Sequence, residues 1–150
     1  MNTTINGKTI EQVQKEFKMP FDSSLTKENL NGFVYVESSN YRERLDNVIG
    51  IFNYDEEYKQ VEVVNLSNAY EIAVICRLTI KDDNGNVVKI VEASGGSKVI
   101  IPKESGKPQA MKNDLDTACI DAYRRCCVRL GIGNDIKEMN KAKKKKNKDN

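Results

Sequence analysis

The chain has 150 residues, a formal net charge of +2, 39% hydrophobic and 31% charged residues, and no histidine. This length suits one domain with an ordinary hydrophobic core, and no apolar run approaches the length of a membrane span. The absence of histidine removes the usual general base and a common zinc ligand, and the sequence has neither a GxGxxG nor a GxxxxGKS/T loop, so ordinary nucleotide-hydrolysing machinery is missing.

The charges are distributed unevenly. Residues 137–150 contain seven lysines and carry a net charge of +5, which leaves the first 136 residues with a net charge of −3. We therefore expect a disordered, lysine-rich tail at 136–150. A polyanion contact in the body has to come from a local cluster of cations.

The four cysteines form no CxxC pair and have no histidine beside them, so they predict reduced thiols instead of a zinc site or a disulfide framework. Together with the lack of a signal peptide, they favour a cytoplasmic protein.

Residues 1–32 form a polar N-terminal segment with one short helix. Ile10, Val13 and Phe17 recur at helical spacing, and Pro20 ends that helix. The apolar run at 33–36 predicts a strand or the lead-in to a second helix.

The second helix is predicted at 41–52, where apolar residues from Tyr41 to Phe52 form one stripe. Asn40 with Glu43 three residues later resembles a capping arrangement.

Three strands are predicted next, at about 58–65, 70–80 and 87–94, with apolar and polar residues alternating most clearly in the second. Asn84-Gly85 is a strong hairpin signal, and Gly95-Gly96 is expected to end the third strand. Residues 97–112, rich in proline and glycine, predict a mobile loop.

A last helix is predicted at 114–130, with Asn113 as its cap and Gly131 and Gly133 at its end. The order of elements predicts an α+β fold, in which a three-stranded antiparallel β-sheet (a β-β-β-α core) packs against helices.

The last helix carries the sharpest candidate site. Arg125 and Arg129 are four residues apart on one flank, and Arg124 points roughly the other way. Guanidinium groups suit phosphate oxygens, but a solvated helix in which Asp121 pairs with Arg125 explains the same residues. Residue types alone favour the solvated helix.

Three segments resemble the Rad52 superfamily of single-strand annealing proteins, including its small bacteriophage members. Tyr35-Val36-Glu37 and the helix after it resemble the family's first core helix. The hairpin ending at Val87–Gly96 resembles its sheet. Asn113–Gly133, with the Arg124-Arg125 doublet, resembles its basic helix and is the most specific part of the match.

The resemblance covers about residues 33–135, which it identifies as the annealing core domain, and it has two departures. Val128 stands where relatives usually have a third basic residue, with Arg129 one place later. Leu130 stands where relatives often have an aromatic side chain.

The resemblance implies a protein that is not an enzyme, needs no cofactor or ATP, and binds and anneals single-stranded DNA in homologous recombination and repair without sequence preference. It implies a homo-oligomer, a ring or helical filament, in the cytoplasm of a bacterial host near the nucleoid. A partner exonuclease or single-strand-binding protein is an open expectation. The expected DNA-binding residues are Arg124, Arg125, Arg129, Arg42, Arg44, Lys98 and Lys112.

Two other functions fit the same residues. One is a small oligomeric structural or adaptor protein in which the helix arginines form only salt bridges between subunits. The other is a small carboxylate-dependent nuclease. Binding of single-stranded oligonucleotide at low salt favours the annealing protein over the adaptor, and metal-dependent shortening of the DNA would indicate the nuclease.

Overall fold

The computed structural model describes residues 2–66, 69–107 and 110–149 of the chain. In chain order its elements are β1 Thr4–Ile5, β2 Lys8–Thr9, α1 Ile10–Phe17, β3 Thr26–Glu28, β4 Val34–Val36, α2 Ser38–Ile49, β5 Tyr54–Leu66, β6 Ala69–Lys81, β7 Val87–Val99, α3 Met111–Arg129 and α4 Asn134–Asp149. Short 3-10 helices lie at Ser23–Leu25 and Ile51–Asn53. The α+β class with an antiparallel three-stranded sheet is confirmed.

The chain divides into two compact units. The first contains Met1–Asn53, Asp82–Asn86 and Cys127–Asn150, and the second contains Tyr54–Lys81 and Val87–Cys126. The second unit therefore holds the three long strands and most of α3, while the first holds the short hairpins and the other helices.

The sheet of the second unit has the order β5-β6-β7, and both pairs of neighbours are antiparallel. Alternate residues of β6 are buried, as the sequence pattern predicts: Ile72, Val74, Cys76, Leu78 and Ile80. Each long strand has 13 residues, so β5 starts earlier than predicted and β7 continues past Gly95 and Gly96 to Val99. The prediction that this glycine pair ends the strand is wrong, because Gly95 and Gly96 pair in register with Val74 and Ala73 of β6. The expected loop at 97–112 is correspondingly shorter, and its Pro108 lies outside the described residues.

The turn between β6 and β7, in the first unit, is built by Asp82. Its Oδ1 accepts hydrogen bonds from the backbone N–H groups of Asn84 and Asn86, both at 2.9 Å, and Gly85 has a φ of +83°. The hairpin predicted from Asn84-Gly85 is confirmed.

Asp83, the next residue, ties this turn to the N-terminus of the chain. Its carboxylate accepts hydrogen bonds from the Thr4 hydroxyl at 2.8 Å and from the backbone N–H groups of Asn6 and Gly7 at 2.8 and 3.0 Å. The Gly7 and Thr4 bonds lower the pKa of Asp83 to about 2, so the carboxylate is ionised at neutral pH.

Helices α1 and α2 belong to the first unit, and α1 begins with a capping box. Gln12 N–H donates to the Thr9 hydroxyl at 3.2 Å, and Thr9 N–H donates to the Gln12 side chain at 2.9 Å. Helix α2 starts at Ser38 with Glu37 as its N-cap, so the predicted Asn40 cap is wrong.

The predicted end of α2 is also wrong, since Gly50 has a φ of +80° and terminates the helix. Phe52 therefore leaves the apolar stripe and is 94% exposed, while Tyr41 is buried as expected.

Residues 134–149 form helix α4 instead of the expected disordered tail, and residue 150 lies outside the described part. The side-chain amide of Asn140 donates to the carbonyl of Val34 at 2.8 Å and accepts from its N–H at 2.9 Å. Lys143 contacts the Glu28 carboxylate at 3.2 Å, and Ile136 is buried. These residues lie at i, i+4 and i+7, so one face of the lysine-rich helix is used for packing.

Candidate nucleic-acid interface

Helix α3 lies directly on the sheet of the second unit because the strand beneath it has no side chain at the point of contact. A Cβ atom on Gly95 would lie 2.4 Å from the Ala122 nitrogen and 2.5 Å from the Ala118 carbonyl oxygen. Ala118 and Ala122 are fully buried. The close approach of the two backbones makes this part of α3 a rigid support for its exposed residues.

Buried thiols continue this packing toward the end of the helix. Cys126 Sγ donates to the carbonyl of Cys76 on β6 at 3.3 Å. A hydrogen bond with the Cys126 thiol, together with burial, raises the pKa of Cys76. All four cysteines are reduced thiols, and Cys76 is held as a neutral thiol in the core.

Arg124 and Arg125, here called the arginine pair, lie on the exposed side of α3. Arg124 Nη2 is 2.9 Å from Asp121 Oδ1, and Arg125 Nε is 3.4 Å from Asp121 Oδ2. The side chains of Arg124 and Arg125 are 35% and 55% exposed, and that of Asp121 is 25% exposed. One carboxylate thus brings the two guanidinium groups together.

Arg129 is the last residue of α3 and is exposed. It follows Arg125 by four residues, about 6 Å along the helix axis, on the same flank. Residues 121–129 contain three arginines and one aspartate, a net charge of +2, whereas the first half of the helix contains Lys112 and two aspartates. The cations of α3 are therefore concentrated in its C-terminal half, where they also interact favourably with the helix dipole.

Lys98 and Lys112 are not brought to the arginine pair. Lys98 is exposed on the face of β7 opposite to the one that carries Gly95 and Val99, because side chains alternate along a strand. Lys112 is exposed in the first turn of α3, twelve residues before Arg124, a distance of about 18 Å along the axis.

Arg42 and Arg44 lie on α2 in the first unit, and Arg44 has a set of contacts that the sequence does not reveal. Its Nη1 donates to the carbonyl oxygens of Phe17 and Met19 at 3.3 and 2.6 Å. Its guanidinium carbon is 4.7 Å from the centroid of the Phe21 ring. These contacts satisfy carbonyl groups at the end of α1, so Arg44 has a structural role there. Arg42 is half-buried. The assignment of both residues to DNA binding stays a prediction.

The sequence identifies only one of the two ion pairs that Asp121 forms. The spacing of four residues indicates its pairing with Arg125, but the structure adds Arg124 at a spacing of three. The expectation that Arg124 points roughly the other way from Arg125 is therefore wrong, because a spacing of three also places two residues on one helix face.

Two further observations concern the described residues as a whole. No group of three or more cysteine, aspartate or glutamate side chains among them is arranged to hold a metal ion. None of the helices in the described ranges combines the length and the apolar character of a membrane span.

Comparisons with known proteins give a family match over most of the chain. The family model described as "Rad52/22 family double-strand break repair protein" matches residues 9–150. No curated protein matches the chain. Among solved structures, a crystal structure of a protein designated a lipoprotein, from Caulobacter crescentus CB15, is similar at 15% identity and a TM-score of 0.42, covering 81% of this chain and 91% of that one. A structural likeness of that size carries no argument about this chain.

Proposed function

The chain belongs to the Rad52/22 family of double-strand break repair proteins, and we propose that it binds single-stranded DNA and anneals complementary strands during recombination and repair. The binding is to the phosphate backbone and has no sequence preference. It takes place in the cytoplasm of a bacterial host, on DNA that a partner exonuclease or single-strand-binding protein delivers.

The observation that supports this function best is the arginine pair on α3. Two guanidinium groups stand side by side on the exposed side of a helix whose other side is fixed to the sheet through Gly95. Planar guanidinium groups donate paired hydrogen bonds to phosphate oxygens, and the rigid support reduces the entropy that is lost on binding. Arg129, one turn further along, extends the same flank.

Annealing requires no covalent chemistry. Its barrier comes from removing self-structure from each strand and from bringing two polyanions together, and neutralisation of the backbone lowers both contributions. Annealing therefore needs only contacts that bind the phosphates and leave the bases accessible to a complementary strand. The proposed mechanism therefore uses neither ATP nor a metal ion.

The proposed active form is a homo-oligomer, a ring or a helical filament. β5 and β7 are the edge strands of the three-stranded sheet, and edge strands are commonly covered by another chain. The first 136 residues carry a net charge of −3, so one copy offers few clustered cations to a long polyanion. Repetition of the arginine pair around an assembly produces a continuous basic track.

Fluorescence anisotropy of a labelled oligothymidine, titrated with the full-length protein, tests the binding step. We expect tight binding at low salt and a linear fall of the logarithm of the affinity with the logarithm of the salt concentration. Light scattering on the same samples, with and without DNA, is expected to show an oligomer. A monomer that does not bind the oligonucleotide at low salt would contradict the proposal and would favour the adaptor.

A further inference from the structure

Asp121 is an acidic residue at the centre of the proposed DNA-binding surface. Its two carboxylate oxygens are divided between two cations, with Oδ1 2.9 Å from Arg124 and Oδ2 3.4 Å from Arg125. A guanidinium group has five N–H donors, so one contact to Asp121 leaves donors on each arginine for a phosphate. Asp121 is also the least exposed of the three side chains, at 25%.

A carboxylate at this position has two effects of opposite sign on DNA binding. Its charge repels phosphates and cancels part of the charge of the arginine pair, which weakens binding. Its contacts hold two long, rotamer-rich side chains in one arrangement before DNA arrives, which strengthens binding. Replacing the Asp121 carboxylate by an amide removes its charge and one acceptor oxygen. The resulting change in DNA affinity shows which effect is larger.

The geometry favours the second effect. The contacts are made at spacings of three and four residues on a helix that is fixed to the sheet at Gly95, so the carboxylate, the two guanidinium groups and their support form one ordered unit. The guanidinium groups would otherwise repel each other and separate. An amide in place of the carboxylate keeps one acceptor oxygen and therefore holds one arginine instead of two.

We propose that Asp121 is a positioning residue, which holds the guanidinium groups of Arg124 and Arg125 side by side so that both bind the phosphate backbone of one DNA strand. This inference rests on the proposed function. It makes a prediction opposite to that of simple electrostatics, under which the loss of a negative charge from a DNA-binding surface tightens binding.

The test is the affinity of the full-length Asp121→Asn variant for labelled oligothymidine, measured by fluorescence anisotropy. We expect the dissociation constant to rise about fivefold or more, the effect of losing the order of two arginine side chains, although the variant is more positive by one charge. Asp116→Asn is the matched control, because it makes the same change of charge at an exposed residue of the same helix. It is expected to bind as tightly as the unmodified protein or slightly more tightly. Asp121→Glu, which retains two oxygens and the charge, is expected to restore most of the affinity.

A second measurement separates positioning from a general effect on folding. In a chain that already carries Arg124→Ala and Arg125→Ala, Asp121→Asn is expected to cause no further loss, because no arginine is left to position. A further loss in that background would indicate a structural role and overturn the inference. Binding by Asp121→Asn that equals or exceeds that of the unmodified protein would overturn it as well. If the unmodified protein does not bind DNA at all, the proposed function itself fails. That result is distinguishable from a failure of the Asp121 inference, in which the unmodified protein still binds.

Discussion

Gly95 determines how closely helix α3 approaches the sheet and so where the arginine pair is held. Any side chain at this position would overlap backbone atoms of Ala118 and Ala122, which cannot rotate away. Neighbouring Gly96 differs, because its added Cβ would meet the Ile72 carbonyl oxygen at 3.3 Å and lies on an exposed position of the strand.

Gly95→Ala is therefore expected to destabilise the protein by about 1–3 kcal/mol or more, the usual effect of overpacking, and to weaken DNA binding by displacing α3. Gly96→Ala is the matched control. Its effect on the free energy of unfolding should be close to zero, because the tight contact of the new methyl group with the Ile72 carbonyl oxygen is offset by the lower entropy of the unfolded chain. Chemical denaturation of both variants measures the difference. Equal stabilities would show that the backbones of α3 and β7 do not touch at Gly95.

The arginines show why a sequence reveals candidate binding residues but not the groups that these residues contact in the folded protein. The doublet of arginines is visible at once, and its exposure on α3 could be predicted from helical spacing. The role of Arg44 could not, since its partners are backbone carbonyls of Phe17 and Met19, more than 20 positions away in the chain. A contact with a carbonyl group depends on the fold and on no particular residue type.

At the level of elements, the sequence predicts interiors better than ends. The alternation in β6 and the apolar spacing in α1 are periodic signals over many residues, and both are confirmed. The end of α2 depends on the single residue Gly50, and the length of β7 depends on the packing of helix α3 against Gly95. The ends of these elements are set by one backbone angle or one tertiary contact, and the periodicity of apolar residues carries no information about either.

Helix α4 illustrates the same limit for a charged segment. Seven lysines suggest a solvated tail, but Ile136, Asn140 and Lys143 recur on one face and contact the rest of the first unit. Four of the remaining six lysines follow the helical repeat on the exposed side, where Lys141, Lys144, Lys145 and Lys148 lie at i, i+3, i+4 and i+7. The structure thus turns a diffuse positive charge into an ordered basic face.

Replacing these four exposed lysines by glutamine is expected to weaken binding of single-stranded DNA and to reduce the slope of log affinity against log salt by about 0.7 for each lysine that contacts a phosphate. The matched control replaces the same four residues by arginine, which preserves charge and helix propensity. Circular dichroism verifies that α4 stays folded in both. An unchanged slope in the glutamine variant would show that the basic face of α4 does not touch the DNA.

At the level of the whole molecule, the fold class and the family agree with the sequence resemblance, which covers about residues 33–135, and the family match extends over residues 9–150. The distribution of charge is consistent with a binder of phosphate backbones that concentrates its cations locally. The last half of α3 carries a net charge of +2 and residues 137–150 carry +5, in a chain whose total is only +2. A single strand is therefore expected to follow particular surfaces of the protein and not its surface as a whole.

The most direct test of the central claim is the rate at which two complementary fluorescent oligonucleotides pair in the presence of the full-length protein, without ATP and with a metal chelator. We expect the unmodified protein to accelerate pairing over the DNA alone and to leave the strands at full length. Arg124→Ala with Arg125→Ala should abolish the acceleration in a protein that remains folded by circular dichroism. Lys59→Ala with Lys89→Ala, which removes the same number of charges from exposed positions of the sheet in the same unit, should retain it. Pairing no faster than that of the DNA alone, or equal acceleration by the variant without the arginine pair, would contradict the account.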